Sequence, residues 1–189
     1  TFAALSVDKA GTGYTIAASS AGLTGATSSA FNVTAGSATK LAFSVQPANV
    51  GAGAAITPAV HVQVLDAANN VVTSSTASIT IAIGTNPGSS VLGGTATVNA
   101  VAGVATFSTL TLNKNGTGYT LTAAGAGLTG ATSAGFNVTA GAAATIAISA
   151  GNGQSAQVGT AVTVDPAVLV TDANGNPASG VSVTFAVAT

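Results

Sequence analysis

One stretch of this sequence is written twice, and the copy constrains the fold more than any other feature. Lys9 to Gly36 contains Gly11-Thr-Gly-Tyr-Thr15 and ends Phe31-Asn-Val-Thr-Ala-Gly36; it returns as Lys114 to Gly141. The shift of about 105 residues, read from Tyr14 to Tyr119, also superposes Thr1-Phe2 on Thr106-Phe107, Leu5 on Leu110 and Phe31 on Phe136. A period of that length is one domain's worth of chain. The 189 residues therefore divide into one whole module, 37–141, between a closing half-module, 1–36, and an opening half of a divergent copy, 142–189. Thr1 is not an initiator Met, and both ends fall inside a repeat, so the chain reads as a processed product or an excerpt of something longer.

Within the module the apolar residues keep a period of two, the signature of half-buried strands. Leu41, Phe43 and Val45 share one face of Lys40–Val45, which stops at Gln46-Pro47. Val60, Val62 and Val64 share one face of Ala59–Val64, with His61 and Gln63 on the other, and Ile79, Ile81 and Ile83 do the same in Ser78–Ile83. Asn86-Pro-Gly88 reverses the chain. Further strands are expected at Val71-Val72, 95–98, 104–112, 119–123 and 136–139, with turns at 99–103 and 114–118. The flanking halves give strands at Phe2–Val7, with an irregularity near Ala3-Ala4, then Tyr14–Ala18 and Ala30–Thr34, and, in the third copy, Thr145–Ile148 and Val168–Thr171. Pro and Gly punctuate the runs and no apolar period of 3.6 residues is sustained, so the expected architecture is an all-β sandwich of about seven or eight strands per module.

Charge is almost absent. Lys9, Lys40 and Lys114 face Asp8, Asp66, Asp165 and Asp172, with neither Arg nor Glu, for a net charge of -1. Nucleic-acid binding needs clustered Lys or Arg to displace counterions, and membrane-surface helices need a basic face, so both partners are excluded. Thr, Ser, Asn and Gly break every apolar run well short of the ~20 residues of a membrane span. Without Cys there are no disulfides, thiolate metal sites or cysteine nucleophiles. A surface hydrated by Thr, Ser, Asn and Gly rather than by charge fits an extracellular or cell-surface protein.

Two stretches resemble known modules. Val168-Leu-Val-Thr-Asp-Ala-Asn-Gly-Asn-Pro177 followed by Gly180-Val-Ser-Val-Thr-Phe185 resembles the strand-turn-strand signature of bacterial Ig-like repeats of the invasin and intimin type, strung together in large surface and secreted proteins. Gly116-Thr-Gly-Tyr-Thr120 and its copy Gly11–Thr15 are similar to the tyrosine corner of Ig sandwiches. The B-to-F disulfide and the strand C Trp of antibody domains are absent. The resemblance implies tandem Ig-like sandwiches whose partners are neighbouring modules and, in a filament, other copies of the chain.

Candidate chemistry is sparse. His61 has no second His, Cys or Glu to complete a zinc site, and on the polar side of its strand it reads as an exposed residue. Asp66, Asn69 and Asn70, like Asp172, Asn174 and Asn176, offer oxygens at spacings seen in calcium loops, but neither set has the closing bidentate Glu, and Asx turns account for both. Asn32, Asn115 and Asn137 head N-glycosylation patterns that a Thr-rich chain also produces by chance. Gly125–Gly130 and Ser20–Gly25 resemble phosphate-cradling loops but lack the following Lys and the strand-to-helix passage, so flexible inter-strand loops explain their glycines. The recurring aromatics Phe2/Phe107, Tyr14/Tyr119 and Phe31/Phe136 are expected as core anchors. No cofactor and no enzymatic activity are expected. The leading reading is a non-enzymatic structural repeat of an extracellular fibre or adhesin stalk. Its alternatives are a filament subunit completed by strand addition between chains, and a carbohydrate-binding accessory module of a secreted enzyme.

Overall fold

A computed structural model describes residues 3–187, and among these every regular element is a β-strand. The first segment carries β1 (Gly11–Tyr14), β2 (Ala17–Ala18), β3 (Ala26–Thr27) and β4 (Phe31–Val33). The middle segment carries β5 (Lys40–Val45), β6 (Val50–Gly51), β7 (Val60–Leu65), β8 (Ser78–Ile83), β9 (Leu92–Gly93) and β10 (Thr97–Asn99). It continues with β11 (Val104–Phe107), β12 (Thr111–Leu112), β13 (Gly116–Tyr119), β14 (Leu121–Gly125), β15 (Leu128–Thr132) and β16 (Phe136–Thr139). The last segment carries β17 (Ala143–Ala150) and β18 (Ala167–Asp172).

Seven strands of the middle segment form one curling sheet in the order β10-β8-β14-β15-β5-β7-β11, faced by β13-β16-β6 and by the pair β12-β9. The inner faces make one core. Val60, Val62 and Val64 on β7 and Ile79 and Ile81 on β8 are buried while Thr80 and Ala82 between them are exposed. Phe107, Leu110, Leu112, Tyr119, Leu121, Phe136 and Val138 fill the space between the layers. Burying each such aliphatic side chain stabilises by roughly 1.5–3 kcal/mol, and in a chain without disulfides this burial is the main cohesive term. Strands from the two ends of the segment pair side by side, β15 with β5 at Thr129↔Lys40 and β16 with β6, which ties residues 37–51 to residues 128–139.

Several expected elements are corrected. The single strand expected over 104–112 is broken after Phe107, because β11 pairs with β7 in one layer and β12 with β9 in the other, and Ser108–Leu110 carries the chain across. The expected turn at 114–118 already contains β13, whose register slips between Gly116 and Tyr119 where Gly118 takes φ +82°. The loop expected to be flexible at Gly125–Gly130 is the tip and return strand of a hairpin: β15 lies between β14 and β5, held by the Thr129 N–H donating to Thr39 O at 2.9 Å. Val71 makes only an isolated bridge to Leu65 rather than a strand with Val72.

The flanking segments reproduce parts of this fold in register. Gly11↔Val33 and Tyr14↔Phe31 repeat Gly116↔Val138 and Tyr119↔Phe136, slip included. Ala17↔Thr27 repeats Thr122↔Thr132. Ile146↔Val170 and Ile148↔Val168 repeat Leu41↔Val64 and Phe43↔Val62. Two expected runs stay outside any strand. Ala3–Val7 has Ala4 at φ +71°, and Thr1 and Phe2 lie outside the described residues. Val181–Val187, which overlaps the repeat counterpart of β8, likewise lies outside any strand.

Candidate functional site

The most elaborate polar constellation in the molecule is a clamp at each junction between segments. It is built on the turns Asp66–Asn70 and Asp172–Asn176. In the second, Asp172 Oδ1 accepts from the amides of Asn174 (2.8 Å) and Asn176 (2.9 Å), and the Gly175 N–H donates to Asp172 O, closing a tight Asx turn. Gly175 sits at φ +75° and its counterpart Asn69 at φ +65°, the left-handed region that Gly and Asn tolerate best. That explains why the two turns differ in sequence at this position and agree in shape.

The remaining groups of each turn reach into the preceding segment. Asp172 Oδ2 accepts from the Gly141 amide in the link (2.7 Å) and from Asn176 Nδ2 (2.8 Å). Asn176 Nδ2 also donates to Asn113 O (2.9 Å), and Asn176 Oδ1 accepts from the Asn115 amide (3.2 Å). At the first junction Asp66 Oδ2 accepts from the Gly36 amide and Asn70 Nδ2, Asn70 Nδ2 donates to Asp8 O, and Asn70 Oδ1 accepts from the Ala10 amide. The two clamps match atom for atom. Both Asn side chains are buried, and no buried side-chain polar atom among the described residues lacks a partner. At the second junction Lys114 Nζ adds a bond to Asn174 O at 2.6 Å.

Hydrogen bonding governs the charge of both carboxylates. The Asn70 side chain, the Asn70 and Gly36 amides and the Ala68 amide outweigh burial and hold Asp66 at about 2. For Asp172 burial pushes upward, but donation from Asn176, Gly141 and Asn174 prevails and the carboxyl also titrates at about 2. The Asp172 oxygens accept four N–H donors, which fills the lone-pair positions of a carboxylate. These turns therefore present N–H hydrogens where a calcium loop presents free oxygens. Asn69 and Asn174 do not join a ligand set; Asn174 contributes its backbone to the clamp.

Other candidate residues fall into place around this frame. Tyr119 is fully buried, its hydroxyl donates to Lys114 O at 2.9 Å, and its ring lies 6.0 Å from that of Phe136. Tyr14 repeats this with Lys9 O and Phe31, half-buried. The tyrosine thus fixes the turn whose carbonyl and amide groups, at Asn113 and Asn115, the next segment's Asn176 reads. Gly88 is required there, since a side chain at that position would strike the Tyr119 hydroxyl and Asn115 O. Phe107 is buried in the core, and Phe2 lies outside the described residues. His61 sits half-buried mid-strand, across from Thr106 on β11. Asn32 and Asn137 are exposed with Oδ1 accepting from Gly13 and Gly118, while Asn115 is exposed with its amide in the clamp. Among the described residues no three His, Cys, Asp or Glu approach closely enough to hold a metal ion.

The sequence reading missed the clamp's far side: Asp8 O, Ala10 N, Asn113 O, Asn115 N and the link glycines Gly36 and Gly141. Its one legible signal is that Asp-x-x-x-Asn occurs at 66–70 and again at 172–176.

No family model and no curated protein matches the chain. Among solved structures, a β-glycosidase from Bacteroides vulgatus matches over 56% of this chain at 15% identity with a TM-score of 0.43. The match covers 15% of that enzyme's length.

Proposed function

We propose that this chain is a non-enzymatic run of tandem Ig-like sandwiches, 1–36, 37–141 and 142–189, serving as an extended spacer in an extracellular fibre or adhesin stalk. The observation that carries the reading is the same Asp/Asn clamp at both junctions. A short link would otherwise leave neighbouring modules free to hinge, since few contacts normally cross such a boundary. Here part-buried hydrogen bonds from one turn grip the link and the Tyr-fixed turn of the previous module, which supports a defined geometry at each junction. A spacer that must hold a distance needs that property, whereas a soluble single-domain binder does not.

The Tyr119 hydroxyl bond to a backbone carbonyl five residues upstream supports the Ig-like assignment. Surface hydration by Thr, Ser and Asn in place of charge supports the extracellular one. Small-angle scattering on the 189-residue chain tests the spacer role. The expected profile fits one extended arrangement of segments, and the double variant Asn70→Ala/Asn176→Ala requires a broad ensemble. A wild-type profile that already demands freely hinged segments overturns the proposal, as does turnover of a glycoside substrate by the purified chain.

A further inference from the structure

Asparagine is followed by glycine three times in the chain, at Asn115-Gly116, Asn152-Gly153 and Asn174-Gly175. Such pairs are chemically reactive. Glycine puts no side chain in the way when its backbone nitrogen attacks the amide carbon of the preceding asparagine, and it lets the backbone turn to bring the two atoms together. The structure holds the three pairs differently. Asn152-Gly153 is an exposed turn whose Gly153 N–H has no hydrogen-bond partner among the described residues. Asn115-Gly116 leads into β13, which pairs with β16. Asn174-Gly175 lies inside the second clamp. The Gly175 N–H donates to Asp172 O at 3.0 Å, the Asn174 N–H donates to Asp172 Oδ1 at 2.8 Å, and Asn174 O accepts from Lys114 Nζ at 2.6 Å. The Asn174 side-chain amide stands against the middle segment, where a Cβ on Gly53 would meet Nδ2 at 2.9 Å. The attacking nitrogen is thus tied to an acceptor, and the amide it would attack is packed across the junction.

We propose that Asn174-Gly175 is a self-modifying site gated by the clamp: the pair is stable while the junction is closed, and converts to aspartate or isoaspartate when the junction opens, which makes the opening irreversible. In the open state the Gly175 nitrogen attacks Asn174 Cγ. The N–Cγ bond forms, the Cγ–Nδ2 bond breaks, and the amide proton leaves with Nδ2 as ammonia. Water then opens the five-membered succinimide at one carbonyl or the other. The aspartate product adds a negative charge beside Asp172, and the isoaspartate product also runs the main chain through the side-chain carbon, lengthening the turn. Either change disturbs a turn in which Asp172 Oδ1 must meet the amides of both Asn174 and Asn176. The first junction carries no such site, because its turn reads Asp66-Ala-Ala-Asn-Asn70 and the residue at φ +65°, Asn69, is followed by Asn70 rather than by glycine. Chemical wear therefore falls on the second junction. The site stands on the geometry of the clamp and goes beyond the spacer reading, which scattering judges separately.

The test ages the 189-residue chain in warm, mildly alkaline buffer and follows each asparagine by peptide mapping, with enzymatic methylation to detect isoaspartate. Asn152 should convert fastest and serves as the internal clock, with Asn174 slower by more than about tenfold. Asn176→Ala should quicken Asn174 by about 30-fold, up to the rate of Asn152, and leave Asn152 and Asn115 unchanged. Asn70→Ala, which opens the other clamp, should leave Asn174 at its wild-type rate. Asn174 keeping pace with Asn152 in the wild type, or failing to quicken in Asn176→Ala, overturns the inference, as does quickening in Asn70→Ala. If Asn115 also quickens in Asn176→Ala, the whole chain has opened, and Lys114→Ala decides in its place. That variant removes the Nζ bond to Asn174 O and should quicken Asn174 a few-fold with Asn115 unchanged; no change refutes the gate. Hydrogen exchange on the isolated isoaspartate fraction reads irreversibility: the β18 amides should stay fast after return to the starting buffer, and regained protection shows that the modification does not hold the junction open.

Discussion

Replacing Asn176 by Ala isolates the clamp from the rest of the fold. The truncation deletes three side-chain hydrogen bonds, to Asp172 Oδ2, to Asn113 O and from the Asn115 amide, and leaves the turn's backbone bonds in place. A net contribution of about 0.5–1.5 kcal/mol for each of the three bonds sets an upper limit of about 4.5 kcal/mol. Asn113 is only half-buried and Asn115 exposed, so water can recover those two groups, and a loss of about 2 kcal/mol is expected. The loss should be local. Hydrogen exchange of the β18 amides Val168–Thr171 should quicken by about 30-fold, the equivalent of 2 kcal/mol, while β7 amides in the middle core keep their protection. Asn70→Ala should do the same to β1 and β4 and leave β18 alone, since the two clamps share no residue. An Asn176→Asp variant keeps the shape but removes the donor and sets a second carboxylate against Asp172 and the Asn113 carbonyl, so at neutral pH it should lose more than Ala. If exchange at β18 changes less than threefold in Asn176→Ala, the clamp does not hold the third segment and the reasoning fails.

The other predictions concern the core, the corner, the turn and acid. Phe107→Ala empties a fully buried site and should cost about 3–5 kcal/mol in urea unfolding; a loss under 1 kcal/mol would remove Phe107 from the core. Tyr119→Phe keeps the ring and deletes one buried hydroxyl bond, an expected loss of about 1–2 kcal/mol by thermal denaturation, with a smaller effect for Tyr14→Phe where the hydroxyl bond is exposed. Gly175→Val forces a β-branched residue into the left-handed region and should cost about 1–2 kcal/mol, whereas Asn69→Gly should be nearly neutral. Asp66 and Asp172 titrate at about 2 when folded, below the 3.8 of a free carboxyl, so their contribution is complete above pH ~4 and is lost as pH falls toward 2. Scattering between those pH values should show the junctions loosening, and Asp66→Asn/Asp172→Asn should abolish that step; an unchanged acid response in the variant contradicts the assignment.

What could be read in the sequence follows from which interactions hold each element. Lys40–Val45, Ser78–Ile83 and Phe136–Thr139 are strands with the expected limits, because each places large apolar residues on one face only, and burial of that face fixes both period and ends. β13, β15 and β6 escaped notice for the opposite reason. Gly116-Thr-Gly, Leu128-Thr-Gly-Ala-Thr132 and Val50-Gly51 have little apolar alternation and are held by backbone bonds to neighbouring strands. The Asx turns were legible from Asp, Asn and Gly spacing, but their role was not. The groups they bind are carbonyls and amides some 60 residues away, and backbone atoms leave no mark in a side-chain pattern.

The offset between the copies sharpens what the repeat preserves. Gly36 and Gly141, like Leu41 and Ile146, are related by about 105 residues, while Asp66 and Asp172, Asn70 and Asn176, and Val62 and Val168 are related by one more. The extra residue therefore lies between β17 and β18, in the connection that replaces residues 46–59, and neither strand register nor clamp is displaced by it. Over the same span Phe43 has become Ile148, Ala68 has become Asn174 and Asn69 has become Gly175, yet Asp and Asn at the ends of the turn remain. A surface connection absorbs an insertion because its backbone is solvated wherever it runs. The clamp has no such freedom, since moving the Asp by one residue would point its carboxylate away from the link amide and leave Asn176 with buried, unpaired donors. The differences between the copies fall in the connection and in side chains such as Phe43 and Ile148, and what stays fixed is the geometry by which one segment grips the next.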